Sequence, residues 1–159
     1  MKEIKLPKSE KFEKYDFMKS IDLKEVDFKD IIGEDRAIIF DTNFLFTTFE
    51  FKIDVISEIR RCIGGNFRLY IYGGTLNELK SVERKGDKNK RFLPLISTML
   101  NVYNFKLIRS SKRYVDGQIL ENLHDRVVIA TNDKELRMKI QAKKKKVLYL
   151  RQKKYLELI

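Results

Sequence analysis

Two acidic residues follow short apolar segments in the sequence. Asp41 comes directly after residues 37–40, and Asp133 comes three positions after residues 127–130. Both segments have the length and composition of strands that are buried on both faces of a sheet. In an open parallel sheet, ligands bind at the edge where the loops leave the carboxyl ends of the strands. The pattern therefore predicts that the Asp41 and Asp133 side chains lie at the same edge of a sheet.

Two further acidic residues belong to predicted helices. Glu78 lies on a helix that follows the apolar segment 69–72, and Asp116 begins another helix. The apolar residues between 119 and 123 recur three, four and seven positions after Asp116, so the spacing predicts Asp116 on the buried stripe of its helix. A carboxylate in that position needs a partner. We therefore expect both side chains to join the other two acids at one edge.

Four carboxylates at one edge repel one another, and their pKa values rise unless a cation neutralises them. Hard divalent ions such as Mg²⁺ prefer oxygen ligands and take one or two carboxylates together with waters and substrate phosphates. Each acid also has a structural interpretation. Asp41 and Asp133 could be N-caps, Asp116 could complement a helix dipole in the first turn, and Glu78 could be an ordinary exposed residue.

Composition narrows the chemistry further. Among 159 residues there is one cysteine, Cys62, and one histidine, His124, which excludes an internal disulfide and any site built from several cysteines or histidines. Lysine and arginine total 34 against 23 acidic residues, a net charge of +11. Residues 1–35 carry −2 and residues 36–159 carry +13. The high positive charge of residues 36–159 favours a polyanionic partner such as nucleic acid. The alternative is that these lysines form a solvated surface without such a partner.

The elements that must position these acids alternate along the chain. Short apolar runs rich in β-branched and aromatic residues alternate with longer stretches of helical spacing, which predicts βαβ crossovers. We therefore expect an α/β fold, a three-layer α/β/α sandwich with a mostly parallel five-stranded sheet. The predicted strands are residues 37–40, 69–72, 105–108, 127–130 and 147–150.

The N-terminal part of the chain has a different pattern. Residues 1–35 are predicted to form an appended arm, partly helical over residues 23–32, that packs on the main domain or on a neighbouring copy. Residues 36–159 are predicted to form the main domain. The first residues alternate in charge, unlike a signal peptide. No apolar run approaches the roughly 20 residues needed to cross a bilayer. We expect a cytoplasmic protein with no membrane partner.

The ordered acidic motifs resemble those of PIN-domain ribonucleases, and the C-terminal end is similar to archaeal members near the ribosomal-RNA-processing and VapC-type branches. The resemblance covers about residues 36–158. The sequence departs from the family pattern at Gly73-Gly74, where many relatives carry a proline, and at Gly117, where some branches carry a second aspartate. The matching segments are residues 38–43, 76–79, 116–119, 130–136, 147–151 and 155–158.

The resemblance implies a PIN-like fold and one or two Mg²⁺ or Mn²⁺ ions held by four carboxylates that act in catalysis. Short hydrogen-bonding residues beside them would orient those carboxylates. The four implied metal-binding and catalytic residues are Asp41, Glu78, Asp116 and Asp133, and the orienting residues are Thr42, Asn43, Thr131 and Asn132.

Two basic segments are predicted to contact RNA phosphates. The first starts directly after Glu78 and should rim the pocket, and the second leads into Asp116; a flexible solvated loop is the alternative for the first. Affinity that rests on such contacts falls steeply with salt. The residues are Lys80, Arg84, Lys85, Lys88, Lys90 and Arg91 in the first segment, and Arg109, Lys112 and Arg113 in the second.

The function expected from these observations is a metal-dependent endoribonuclease. Its role would be either ribosomal-RNA processing or that of a VapC-type toxin, with ribosomal RNA or tRNA as substrate and a ribosome-assembly factor, an antitoxin or a second copy in a homodimer as partner. The alternative is a catalytically silent RNA-binding or ribosome-assembly module with the same fold. A phosphatase of the haloacid-dehalogenase type is disfavoured, because Asn43 stands where that chemistry wants a second aspartate.

Overall fold

The structure, a computed structural model, describes residues 15–110 and 114–159. Within these residues the chain forms one sheet of seven strands. The strands are β1 (Glu25–Val26), β2 (Arg36–Phe40), β3 (Phe67–Tyr72), β4 (Lys106–Ile108), β5 (Val127–Ala130), β6 (Lys146–Arg151) and β7 (Tyr155–Leu158).

Helices cover both faces of this sheet. Short 3₁₀ helices span Phe28–Ile31 and Lys88–Phe92. None of the helices in the described parts of the chain combines the length and the apolar composition that a bilayer crossing requires. The α-helices are α1 (Phe17–Ser20), α2 (Thr42–Glu50), α3 (Val55–Ile63), α4 (Gly73–Lys85), α5 (Leu93–Val102), α6 (Val115–Glu121) and α7 (Lys134–Ala142).

The strands lie in the order β1-β4-β3-β2-β5-β6-β7, and every neighbouring pair is parallel except the hairpin of β6 and β7. The central strand β2 pairs with β3 on one side and β5 on the other, so that Ile38 is in register with both Leu69 and Val128. The carboxyl ends of β3, β2 and β5 therefore meet at one edge, as the sequence predicts. The α/β fold with a mostly parallel sheet is confirmed.

The core lies in two layers, one on each face of the sheet. Ile38 and Phe40 point into one layer, and Ile39 points into the other. In the first layer the Phe40 ring meets the rings of Phe44 and Phe105 edge to face, with centroids 5.1 Å apart in both pairs. This alternation explains why the predicted strands are apolar on both faces.

The five predicted strands are present, but the sheet has two more edge strands than expected. The segment predicted to be partly helical over residues 23–32 forms the short strand β1 followed by a 3₁₀ helix. At the other edge, β7 returns from β6 through a turn that includes Gln152 and Lys153, with φ of 54° and 56°. Such turns usually carry Asn-Gly or Asp-Gly, so the sequence provides no signal for this one.

Residues 15–35 pack on the body of the same chain. Phe17 is fully buried in the first core layer, and its N–H donates to the Glu83 carboxylate at 2.9 Å. The Tyr15 hydroxyl lies 2.6 Å from the Ser97 hydroxyl on α5. The first fourteen residues of the predicted arm lie outside the described residues, and the predicted domain boundary at residue 35 stays a prediction.

Candidate active site

Asp41 directly follows β2 and is the N-cap of α2, so the structural interpretation of this residue is confirmed. Its side chain is 5% exposed, its Oδ1 accepts the Thr42 N–H at 2.9 Å, and its Oδ2 accepts the Thr131 hydroxyl at 2.9 Å. Burial raises the pKa of Asp41 to about 6, and the nearby charges of Asp116 and Glu78 add to the rise, while the two hydrogen bonds oppose it. A cap alone needs no such repulsion between carboxylates.

Three buried threonines connect the strand ends around Asp41. The Thr131 hydroxyl also accepts the Asp133 N–H at 3.1 Å, and the Thr42 and Thr75 hydroxyls are hydrogen-bonded to each other at 3.0 Å. These bonds join the turn after β2 to the turn after β5 and to the first turn of α4. Thr75 was not among the predicted site residues, because one threonine in a helical pattern gives no sign of its buried partner.

Glu78 and Asp116 are exposed acids whose pKa values are raised. Partial burial raises the pKa of Glu78, the Asp116 charge raises it further, and a hydrogen bond from Thr42 lowers it. Partial burial is also the main cause that raises the pKa of Asp116. The negative charges of Asp133 and Glu135 raise it further, and the positive charge of Lys139 lowers it. Asp116 thus interacts electrostatically with acids from several other elements of the fold.

The expected burial of Asp116 was wrong. The buried residues of α6 are Val115, Gln118 and Ile119, and Asp116 itself is exposed. Successive residues in a helix are about 100° apart, so Asp116 is turned away from a stripe that starts at Val115. This orientation leaves the carboxylate open to solvent and to a ligand.

The first residue of α4 lies close to the segment that follows β4. A Cβ added to Gly73 would lie 3.4 Å from the Ser110 Cβ and 3.6 Å from the Ile108 carbonyl oxygen. The Ser110 hydroxyl in turn donates to the buried Gln118 side chain on α6. At these distances a Cβ on residue 73 would make ordinary van der Waals contact with the segment after β4, so the structure gives no steric reason for glycine at this position.

Asp133 is exposed and caps α7, its Oδ1 accepting the Leu136 N–H at 3.0 Å. The predicted orienting roles of the two asparagines find less support. Asn132 Oδ1 accepts the Leu150 N–H at 2.8 Å, so this amide ties the end of β5 to β6, and its buried Nδ2 has no partner among the described residues. Asn43 is exposed, and only its backbone carbonyl has a hydrogen bond that the structure identifies, from Thr47.

The side chains at this edge suit a hard divalent cation. The four carboxylates interact electrostatically, and they offer only oxygen atoms as ligands. In the described ranges, however, no three Asp, Glu, His or Cys side chains stand close enough to form a ready-made metal shell. Mg²⁺ commonly keeps several waters and binds protein through one or two carboxylates. The carboxylates therefore fit a cation that shares its shell with water and substrate.

Six cations of the first predicted RNA-binding segment lie on α4 and the 3₁₀ helix that follows. The two acids within this segment are engaged by backbone, because Glu83 accepts the Phe17 N–H and Asp87 accepts the Asn89 N–H at 2.8 Å. Arg91 stacks on Phe92 at 4.7 Å. None of the six forms an ion pair within the described residues, and five of them are exposed, the exception being the half-buried Lys90.

The second predicted RNA-binding segment is only partly described. The Arg109 guanidinium pairs with Glu25 and Asp27, both at 3.2 Å, so it is not free for phosphate in this arrangement. The partners lie in and directly after β1, more than 80 positions away in the sequence. Lys112 and Arg113 fall outside the described residues.

Comparison with known proteins agrees with this architecture. Residues 38–153 match the family model described as PIN like domain. Ribonuclease VapC4 of Methanocaldococcus jannaschii is 35% identical over 124 residues, which make up 76% of this chain and 95% of that protein. The structure of the PIN domain endonuclease Utp24 has the same fold, with a TM-score of 0.63 and 23% identity over 77% of this chain and 90% of that chain. The family match begins inside β2, so α1 and β1 precede it.

Proposed function

The chain belongs to the PIN like domain family, and from this premise we propose that it is a metal-dependent endoribonuclease. One observation carries the proposal most directly. Asp41 is buried at the end of the central strand, and its pKa is raised to about 6 by burial and by the charges of Asp116 and Glu78. A fold retains such repulsion at a cost in stability, and a bound cation would remove it.

The four carboxylates would hold one or two Mg²⁺ or Mn²⁺ ions. The chemistry supplied by a bound divalent ion is polarisation of an RNA phosphodiester and a lowered pKa for the attacking water. The protein's own part is to position the carboxylates. The Thr131 hydroxyl and the Thr42 N–H fix the two oxygens of Asp41, and the backbone N–H of Leu136 fixes one oxygen of Asp133.

The exposed cations of α4 and the following 3₁₀ helix would hold the RNA backbone beside these acids. Lys85 lies seven positions after Glu78, on the same face of α4 and about 10 Å further along the helix axis. That distance places it within reach of a phosphate one or two nucleotides from the cleaved bond. A solvated basic surface without RNA contacts is the competing interpretation of the segment.

The biological role we propose is RNA cleavage in the cytoplasm, as a VapC-type toxin or in ribosomal-RNA processing. The relative from Methanocaldococcus jannaschii carries a VapC name. A toxin would have an antitoxin partner and would act on tRNA or ribosomal RNA, commonly as a homodimer, whereas a processing factor would have a ribosome-assembly partner. Growth arrest on expression that disappears in the Asp41→Asn variant would identify the toxin role.

A catalytically silent RNA-binding module is the second candidate. The observation that favours it is that no three metal-ligating side chains gather into one shell in the described part of the chain. In that case the carboxylates would serve as helix caps, as Asp41 and Asp133 do in the structure.

RNA cleavage by site variants separates the two candidates. End-labelled RNA is incubated with the full chain in Mg²⁺, in Mn²⁺ and in EDTA, using Glu78→Gln, Asp116→Asn and, as control, Glu50→Gln, an exposed acid at the end of α2. If the chain is a nuclease, it cleaves RNA only when metal is present. The Glu78→Gln and Asp116→Asn variants should then cleave at least about 100-fold more slowly and bind RNA with unchanged affinity. The absence of metal-dependent cleavage by the wild type would contradict the proposal.

A further inference from the structure

A cavity with several charged residues in its walls opens at the amino edge of the sheet, opposite the carboxylates. Its volume is about 690 Å³, and its walls include the starts of β3 and β4 and part of α3. Since β3 has six residues, the two edges are about 20 Å apart. A ligand in this cavity would therefore leave the acidic edge free.

Positive charge dominates the walls of this cavity. Three cations line it, Arg60, Arg68 and Lys106, against the single acid Asp35. Asp35 pairs with Arg68 at 3.2 Å. Neither Arg60 nor Lys106 has an ion pair within residues 15–110 and 114–159. Two cations that share one cavity without a counter-ion repel each other, so an anion bound between them would be stabilised.

The other walls are suited to the neutral part of a ligand. Asn66 and Asn104 contribute amide side chains, and both can donate and accept hydrogen bonds. Tyr103 also lines the cavity and is 44% exposed, so part of its ring is open to a flat partner. The ligand expected from these walls has an anionic end, hydrogen-bonding groups and a planar ring.

Space for the planar ring continues beyond the cavity. Ile56 and Tyr103 line both this cavity and an adjoining apolar groove of about 340 Å³ between α3 and α5. Val102, which is 64% exposed, and Leu95 extend the apolar surface of that groove. The polar and apolar compartments thus meet at the Tyr103 ring.

We propose that this cavity binds a nucleoside phosphate, with the phosphate between Arg60 and Lys106 and the base against Tyr103. Phosphate is favoured over a carboxylate because it presents three oxygens to several donors, and guanidinium groups bind it in bidentate fashion. Stacking on the exposed aromatic ring would accept any base. The ligand is either a free mononucleotide or one nucleotide of an RNA strand that passes around the protein. The site does not depend on the proposed nuclease activity.

Binding of AMP to the full chain tests the site. The titration is followed by calorimetry and by NMR amide shifts. The test variants are Arg60→Gln and Lys106→Gln. The control is Lys143→Gln, which also removes one positive charge, because Lys143 is exposed and lies outside the cavity. Each test variant should weaken AMP binding by about tenfold, because it removes a charge-assisted hydrogen bond. Tyr103→Ala should weaken AMP binding and leave the binding of inorganic phosphate unchanged.

The outcomes separate the site from general attraction to a basic protein. If Lys143→Gln weakens AMP binding as much as the test variants do, or if the AMP-induced shifts occur only at the carboxyl edge, the proposal is overturned. Near-UV circular dichroism of each variant verifies that it is folded. The Asp41→Asn variant should bind AMP like the wild type, so loss of nuclease activity and loss of this site are distinguishable.

A second titration identifies the source of the nucleotide. A short single-stranded RNA is bound in EDTA, which prevents metal-dependent cleavage. If Arg60→Gln and Lys106→Gln weaken RNA binding beyond Lys143→Gln, the site belongs to an RNA strand, and the salt slope of binding falls by about 0.7 for each phosphate that the variant no longer binds. If they weaken AMP binding about tenfold and leave RNA binding equal to that of Lys143→Gln, the ligand is a free mononucleotide.

Discussion

Thr131 donates its hydroxyl proton to Asp41 Oδ2 at 2.9 Å, across 90 positions of sequence. The bond joins the carboxyl end of β5 to that of β2, and both side chains are almost completely buried. The hydroxyl also accepts the Asp133 N–H. One threonine thus fixes the orientation of a buried carboxylate and the position of the next acid along the same edge.

Replacing Asp41 by asparagine should stabilise the metal-free protein at neutral pH. The folded-state pKa of Asp41, about 6, lies above the ordinary value of 3.8, so the folded state binds this proton more tightly than the unfolded state. Stability due to this group is greatest below pH 4 and is lost as the pH rises through about 6. The variant should gain about 2 kcal/mol at pH 7.5 in EDTA and little at pH 4.

Urea denaturation at the two pH values measures this gain. In the variant the amide oxygen can accept the Thr42 N–H while the amide NH₂ donates to the Thr131 hydroxyl, so a hydrogen bond is kept at each of the two positions. An equal stability difference at both pH values would show that the Asp41 carboxylate is not strained by burial and repulsion. A decrease in stability at neutral pH would show the same.

Removing two cations from α4 and the following 3₁₀ helix should weaken RNA binding in a salt-dependent way. Arg84→Gln and Lys88→Gln remove exposed charges that have no ion pair among the described residues. Filter binding in EDTA over a salt series should give a slope reduced by about 0.7 for each phosphate of single-stranded RNA that is released. Lys19→Gln, in the last turn of α1, is the control. Equal salt slopes for the double variant and the control would show that these cations do not contact RNA phosphates.

Neutralising the two acids that hold Arg109 should strengthen RNA binding. Glu25→Gln with Asp27→Asn frees an exposed guanidinium at the carboxyl end of β4, and affinity should rise by up to about tenfold at low salt. Stability should change little, because both ion pairs are exposed. Asp22→Asn removes an acid from the same segment that forms no ion pair with Arg109. If it raises affinity equally, general charge and not Arg109 is responsible.

A better turn between β6 and β7 should stabilise the protein. Gln152 and Lys153 have φ of 54° and 56°, a left-handed conformation that is unfavourable for most side chains. Gln152→Asn with Lys153→Gly should add about 1 kcal/mol to the free energy of unfolding in urea. Lys153→Ala serves as control, because it removes the interaction with the Phe51 ring and keeps the strained backbone. A double variant no more stable than wild type would mean that the turn is not strained.

The central strands could be predicted because burial on both faces makes their residues apolar throughout. β2 and β5 are of this kind, and the acids that follow them were found from their place alone. The edge strands escaped prediction for physical reasons. β1 has two residues, of which Glu25 is exposed, and β7 follows a turn without glycine or asparagine.

Hydrogen bonds between distant residues account for what could not be predicted at the site. Asn132 has the short polar side chain expected of a carboxylate neighbour, yet its partner is the Leu150 backbone. Arg109 was predicted to contact phosphate, but β1 brings Glu25 and Asp27 beside it. Residue type predicted the kind of contact in each case, and only the folded chain determined the partner.

The proposed nuclease requires that Asp41, Glu78, Asp116 and Asp133 share one or two divalent cations. Crystals of the full chain soaked in Mn²⁺ and measured at the manganese absorption edge test it directly. We expect anomalous density at the carboxyl edge, within coordination distance of at least two of these carboxylates, and we expect it to disappear in crystals of Asp41→Asn. Density absent from this edge while the soaked crystals diffract well, or density unchanged in the variant, would contradict it.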